Sequence, residues 1–212
     1  MHAAAKRRHP TVIAMLALKP FPLKTSAGFS LIELMVTLTI AGVLLVVAVP
    51  SLSAFKRNAE LTSATNTLIA AINAARGEAM KRGMSSFVVP ANNGSNWNNG
   101  WVVFVDKNQS LSYEAATDGT ILAQDALPTY FTVSGNNSAS GASPYIMFDA
   151  SGYSKLKSGG FGALTLTLTR GDLSGRDQIE QTRRIIIAKT GRTRTCKPSS
   201  ATDATCAAGS TE

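Results

Sequence analysis

Apolar residues fill positions 29 to 49 almost without interruption: FSLIELMVTLTIAGVLLVVAV carries a single charge, Glu33. As a helix rising about 1.5 Å per residue, such a run spans roughly 31 Å, the thickness of a bilayer core. Beyond Pro50 the pattern becomes a stripe. Leu61, Ala64, Leu68, Ile72, Ala75 and Ala79 recur every three or four residues up to Gly83, the period of an amphipathic helix. The spacing predicts one long helix over 29–82, kinked near Pro50, with Gly42 a second candidate bend. Its charged positions, Lys56, Arg57, Glu60, Arg76, Glu78, Lys81 and Arg82, read as a solvated face.

After Gly83 short β-rich runs alternate with turn residues. They lie at 86–89, 101–105, 120–123, 130–133, 145–148, 164–169 and 183–188, and predict a mostly antiparallel sheet. Strict Leu/Thr alternation puts Leu164, Leu166 and Leu168 on one face, where they can meet the helix stripe. A helix laid on such a sheet is an α+β domain. Trp101 and Phe104 read as core or strand-face aromatics, Asp106, Asp149 and Gly152 as turn residues, and the polar tracts 92–100 and 134–144 as surface loops. The expected division is a leader (1–28), a membrane helix (29–50), an amphipathic helix half (51–83), a β-rich domain (84–190) and a basic tail (191–212).

Charge changes this picture only when it is divided. The net charge of +8 includes five Lys/Arg within the leader, which holds no acid; the rest of the chain carries 16 basic and 13 acidic residues. The positive-inside rule keeps the leader cytoplasmic and sends the carboxyl-terminal bulk across the membrane. The good small-residue break, Ala27 and Gly28, precedes the apolar run, so the run survives processing. Both histidines, His2 and His9, fall in the leader. With no nucleophile elbow, phosphate loop or metal-ligand cluster, the mature chain shows no catalytic, cofactor or metal constellation. Cys196 and Cys206, an even pair in an exported chain, read as a disulfide that pins the tail. From Arg183 to Lys197 there are six basic residues and no acidic one.

GFSLIELMVTLTIAG resembles the type IV prepilin signature. The resemblance implies cleavage by a prepilin peptidase between Gly28 and Phe29, N-methylation of Phe29, and assembly from the inner membrane, with the carboxyl terminus in the periplasm, into a pilus or pseudopilus. Glu33 would then meet the amino terminus of a neighbouring pilin subunit; a carboxylate in hydrocarbon costs at least about 2.5 to 3.5 kcal/mol and needs such a partner. The leader is longer than is usual for that family, and Met15 is a second candidate start. NGWVVFVDKN (99–108), YIMFDASGYS (145–154) and RRIIIAKTGRTRTC (183–196) further resemble the minor pilins and pseudopilins of the GspH/FimT/FimU type. Within the last, Gly191, Arg192 and Arg194 resemble the GRxR element of FimT-type pilins, which implies sequence-independent binding of double-stranded DNA in natural transformation, with Lys189 and Lys197 as nearby cations. The alternative is a FimU-like minor pilin or a GspH-like pseudopilin of type II secretion that primes fibre assembly without binding DNA.

Overall fold

In the computed structural model, which describes residues 28–206, the first element is helix α1 (Leu31–Arg82). Ser30 caps it: its Oγ accepts from the Glu33 amide at 3.2 Å, satisfying one of the donors that a helix start leaves unpaired. Gly83 ends it at φ 67°, its amide donating to the Ala79 carbonyl at 2.9 Å, a left-handed stop that glycine adopts without a Cβ clash. The leader through residue 27, with His2, His9 and Met15, and residues 207–212 of the tail lie outside the described residues.

The chain divides into two compact units at Val47/Ala48. In the first, every side chain described from residue 28 to 46 is exposed. Among the described residues no helix is long and apolar enough to cross a membrane.

The second unit holds β1 (Ser86–Pro90), β2 (Trp101–Val105), β3 (Gly119–Gln124), β4 (Phe131–Gly135), β5 (Ile146–Phe148), β6 (Leu164–Arg170), a short helix α2 (Gly175–Glu180), β7 (Thr182–Ile187) and β8 (Thr193–Cys196). All pairings are antiparallel. The strands form two four-stranded sheets, ordered β3-β2-β1-β5 and β4-β6-β7-β8, where the sequence suggested one. All seven expected strands appear within two residues of their predicted ends, and β8 is an addition.

The helix stripe is buried as its period demands. Leu61, Leu68, Ala71, Ile72, Ala75 and Ala79 join one core with Val88, Trp101 and Val103 of the first sheet and Leu164, Leu166, Leu168, Ile185 and Ile187 of the second. Ala64 is half-buried at its margin, while Thr65 enters the core because its hydroxyl donates to the Leu61 carbonyl at 2.7 Å. The first sheet is covered on both faces, which explains why β2 is apolar throughout. Phe87 stacks on Phe104 at 5.2 Å on the side away from the helix, with Met147 alongside. The loop that closes over them is tied by Asp106, which accepts from the amides of Ser110 and Leu111, and by Asp118, which accepts from those of Lys107 and Glu114. Asp149 likewise accepts from the amides of Ser151 and Tyr153, so the expected turn residues are turn residues.

Candidate nucleic-acid interface

The basic segment forms a hairpin. β7 and β8 pair Ile187 with Thr193, Ile186 with Arg194, Ile185 with Thr195 and Arg184 with Cys196. The turn is built on Gly191: its amide donates to the Ala188 carbonyl at 2.8 Å, and the Ala188 amide donates to the Arg192 carbonyl at 2.9 Å. Gly191 sits at φ 77°, the left-handed position that follows a type I turn in three-residue hairpin loops. Side chains alternate, so Thr193 and Thr195 share the side of the core residues Ile187 and Ile185, and Arg192, Arg194 and Cys196 share the opposite one.

The chain's own groups fix this turn. Arg76 of α1 donates through Nε to the Gly152 carbonyl at 2.9 Å and through Nη2 to the Thr190 carbonyl at 3.2 Å. The Ser154 amide donates to the Lys189 carbonyl at 3.0 Å. A Cβ added to Gly191 would lie 2.0 Å from the Gly152 oxygen and 2.8 Å from Arg76 Nε, so the backbone that approaches Gly191 closely is the protein's own. Sequence alone put Arg76 on the solvated face. Its place three residues before buried Ala79 and four after buried Ile72 marks it as a border position of the stripe, and that was the available signal.

The cations of this segment differ in their surroundings. Arg183 donates to the carbonyls of Glu180 (3.1 Å) and Thr182 (2.9 Å) and to Asn58 Oδ1 (3.2 Å), and burial lowers its pKa. Arg184 donates to the carbonyls of Ala201 (2.8 Å), Asp203 (3.2 Å) and Cys206 (3.2 Å). These two hold the fold and the tail. Arg192 and Lys197 are exposed, and Lys189 and Arg194 are half-buried, with Arg194 Nη1 donating to the Thr205 carbonyl at 3.2 Å. Lys189, Gly191, Arg192, Arg194 and Lys197 thus lie together on one hairpin and its exit.

The tail is fastened across the outer face of the second sheet. Cys196 and Cys206 form the expected disulfide, Cα to Cα 5.6 Å, with Cys206 fully buried. Asp203 organises the loop between them: its carboxylate accepts from the Ser199 amide and hydroxyl and the Thr205 amide and hydroxyl, which hold it well below the ordinary carboxylate range. At the other end of the described chain, Gly28 is exposed, Phe29 is 72% exposed, and Glu33 stands exposed in the first turn of α1, where a negative charge suits the helix dipole. Among the described residues no group of His, Cys, Asp or Glu is arranged to hold a metal ion.

Residues 64–191 match the family described as type II transport protein GspH, more than half of the chain. The chain belongs to the GspH family. Residues 23–49 also match the prokaryotic N-terminal methylation motif, the mark of components processed at the membrane. Among solved structures, the type IV minor pilin FimU of Pseudomonas aeruginosa is similar at 20% identity, covering 66% of this chain and 90% of FimU, with a TM-score of 0.49. The minor pseudopilin EpsH from the type 2 secretion system of Vibrio cholerae is similar at 12% identity, covering 66% and 99%, with a TM-score of 0.44. No curated protein matches. As a GspH-family member with the methylation motif, the chain is a minor pilin or pseudopilin, a class of structural subunits. The family match stops at Gly191, so Arg192, Arg194 and the disulfide-bound tail lie beyond it.

Proposed function

We propose that this GspH-family protein is a minor pilin of a type IV pilus that binds double-stranded DNA without regard to sequence and supports natural transformation. Arg192 and Arg194 form the grip, with Lys189 and Lys197 beside them and Gly191 setting the turn. The observation that carries this reading is the shared side of Arg192 and Arg194 on a hairpin clamped by Arg76 and a disulfide. Alternate residues of an extended strand lie about 6.5 to 7 Å apart, near the repeat of phosphates along one DNA strand. A guanidinium grips phosphate through paired, charge-assisted bonds, and a fixed turn removes the entropy of arranging the two.

In the same proposal a prepilin peptidase cuts between Gly28 and Phe29, Phe29 is N-methylated, and residues 29–49 anchor the subunit in the inner membrane with its carboxyl terminus in the periplasm. Glu33 then meets the amino terminus of a neighbouring pilin as the subunit leaves the membrane for a fibre that reaches the cell surface.

Titration of the full chain in detergent micelles with a short DNA duplex at several salt concentrations tests the grip. Engaging about three phosphates gives a slope of log affinity against log salt near −3. Arg192→Ala with Arg194→Ala should remove most of the binding, and unchanged binding overturns the proposal. A second reading is favoured by a specific observation, namely that Arg183, Arg184 and Arg194 all donate to the chain's own carbonyls. On that reading the segment only fastens the tail of a FimU-like subunit or a type II secretion pseudopilin, and neither form of the protein binds the duplex.

A further inference from the structure

Among the described residues beyond Phe55, the large apolar side chains that stand exposed are Met80 (47%), Tyr153 (42%) and Phe161 (53%). They are far apart in sequence and gather around one residue, Gly152. Met80 Sδ lies 2.7 Å from where a Gly152 Cβ would be, Tyr153 follows Gly152, and the Tyr153 and Phe161 rings meet edge to face at 5.4 Å. Gly152 is also the residue whose carbonyl packs against Gly191 and takes the Arg76 bond. The exposed apolar group of the domain therefore adjoins the tip of the cationic hairpin.

The backbone directs the rings outward. Ser154 is buried and its amide is tied to the Lys189 carbonyl, so in this extended segment its neighbours Tyr153 and Lys155 project the other way. The pairing of Lys155 with Phe161 brings the second ring beside the first. Lys155 Nζ stands 4.0 Å from the centroid of the Phe161 ring and 4.0 Å from Asp149, whose carboxylate is also bound by the amides of Ser151 and Tyr153. Arg76 Nε lies 3.2 Å from where a Gly152 Cβ would be, so its guanidinium borders the same turn.

Single exposed aromatics are ordinary, but a ring pair with a lysine over one ring, adjoining a cationic hairpin, has the chemistry of a stacking platform. Bases inside a duplex are already stacked and present only their edges, so such rings serve unpaired bases. Resting on the DNA-binding reading, we propose that Tyr153 and Phe161 stack unpaired bases, so that the hairpin binds single-stranded DNA more tightly than duplex. The arginines supply a phosphate grip common to both forms, and the rings supply the difference.

The test compares a thymidine oligomer with a duplex of equal length, each titrated against the full chain in detergent micelles. The single strand should bind on the order of ten-fold tighter. Tyr153→Ala with Phe161→Ala should erase that preference and leave duplex affinity unchanged, whereas Phe161→Trp, which keeps a ring, should retain it. Equal affinities in the unaltered protein, or a preference that survives loss of both rings, overturns the inference. If the preference is absent but Arg192→Ala with Arg194→Ala abolishes duplex binding, the phosphate grip stands and the stacking platform falls. If neither DNA form binds, both fall. Rings that prove necessary for incorporation into a fibre while leaving the single-strand preference intact are a subunit contact, and the inference is likewise overturned.

Discussion

Helix α1 contains two apolar stretches with opposite surroundings. From Leu61 to Ala79 the apolar residues form a stripe, and Leu61, Leu68, Ile72, Ala75 and Ala79 have no exposed surface at all. From Leu31 to Val46 apolar residues occupy every side of the helix, and the large ones are 50 to 77% exposed. Burying one Leu or Ile side chain is worth about 1.5 to 3 kcal/mol, so the second pattern fits a segment that finds its cover outside the chain. The comparison teaches that a period of three to four belongs to a helix resting on a protein core, and that the absence of such a period belongs to a helix with apolar matter all round it. Leu68→Ala opens a cavity in a core with no room to collapse and should destabilise the second unit by about 2 to 5 kcal/mol. Leu38→Ala should shift the same denaturation midpoint by less than about 0.5 kcal/mol. Similar losses at both positions, measured on the full chain in detergent micelles, would break the comparison.

Arg76 sharpens the contrast, because it shows that the covered half of α1 also works through its polar border. Its guanidinium serves the carbonyls of Gly152 and Thr190, the two backbone groups that meet at the hairpin tip. Arg76→Ala leaves both acceptors without that charged donor and should cost about 1 to 3 kcal/mol. Hydrogen exchange should rise at the amides of Gly191 and Ser154, which hold the turn, while the amides of α1 around Leu68 stay protected. The neighbouring Lys81, paired with Glu78 at 3.2 Å on the surface, is the control, and Lys81→Ala should change stability by less than about 1 kcal/mol. Equal exchange in the two variants would return Arg76 to the solvated face on which its charge alone had put it.

Much of the fold was legible because local pattern and tertiary burial agree. The stripe from Leu61 to Ala79, the Leu face of β6 and the turn at Gly191 each follow from a period or from a residue with special backbone freedom. The cysteine pair was legible from its parity and from the expected export. β8 was not, since Thr193, Arg194, Thr195 and Cys196 hold no large apolar residue and owe their extended form to pairing with β7. Division into two sheets was also hidden, because strand order depends on contacts between residues remote in sequence. Of the candidate site, the positions were legible and their partners were not. Charge counting could not show that backbone carbonyls from the tail and from the start of β7 surround Arg184 and Arg183. The same blindness applied to Arg57 and Glu60. Arg57 reaches Asp172 at 2.7 Å and lies over the Tyr130 ring, and Glu60 accepts from the Tyr130 hydroxyl, so both join α1 to the sheet side of its own unit.

That last network gives the smallest effect and the most specific one. Arg170 grips Asp172 through Nε at 2.9 Å and Nη2 at 2.5 Å, with Arg57 adding a third bond, and the Arg170 bonds foremost hold the Asp172 carboxyl below its ordinary range. A carboxyl depressed in the folded state stabilises fully above its unfolded pKa, near 4, and that contribution disappears as pH falls through the folded value. Denaturation midpoints followed downward from pH 6 should therefore stay level until about pH 4 and then decline. In Asp172→Asn the decline should be shallower by at most about 1.4 kcal/mol per pH unit, one proton's worth, with the remainder carried by Asp203 and Glu78, whose carboxyls are depressed in the same direction. The phenol of Tyr130 works at the opposite end. Donation to Glu60 raises its pKa, so its contribution is present below pH 10 and fades only as pH climbs through the raised value. An acid limb unchanged by Asp172→Asn would mean that the Arg57 and Arg170 contacts contribute nothing to the covered half of α1. The burial of the stripe would then hold that half together with the bonds of Arg76 and Glu60.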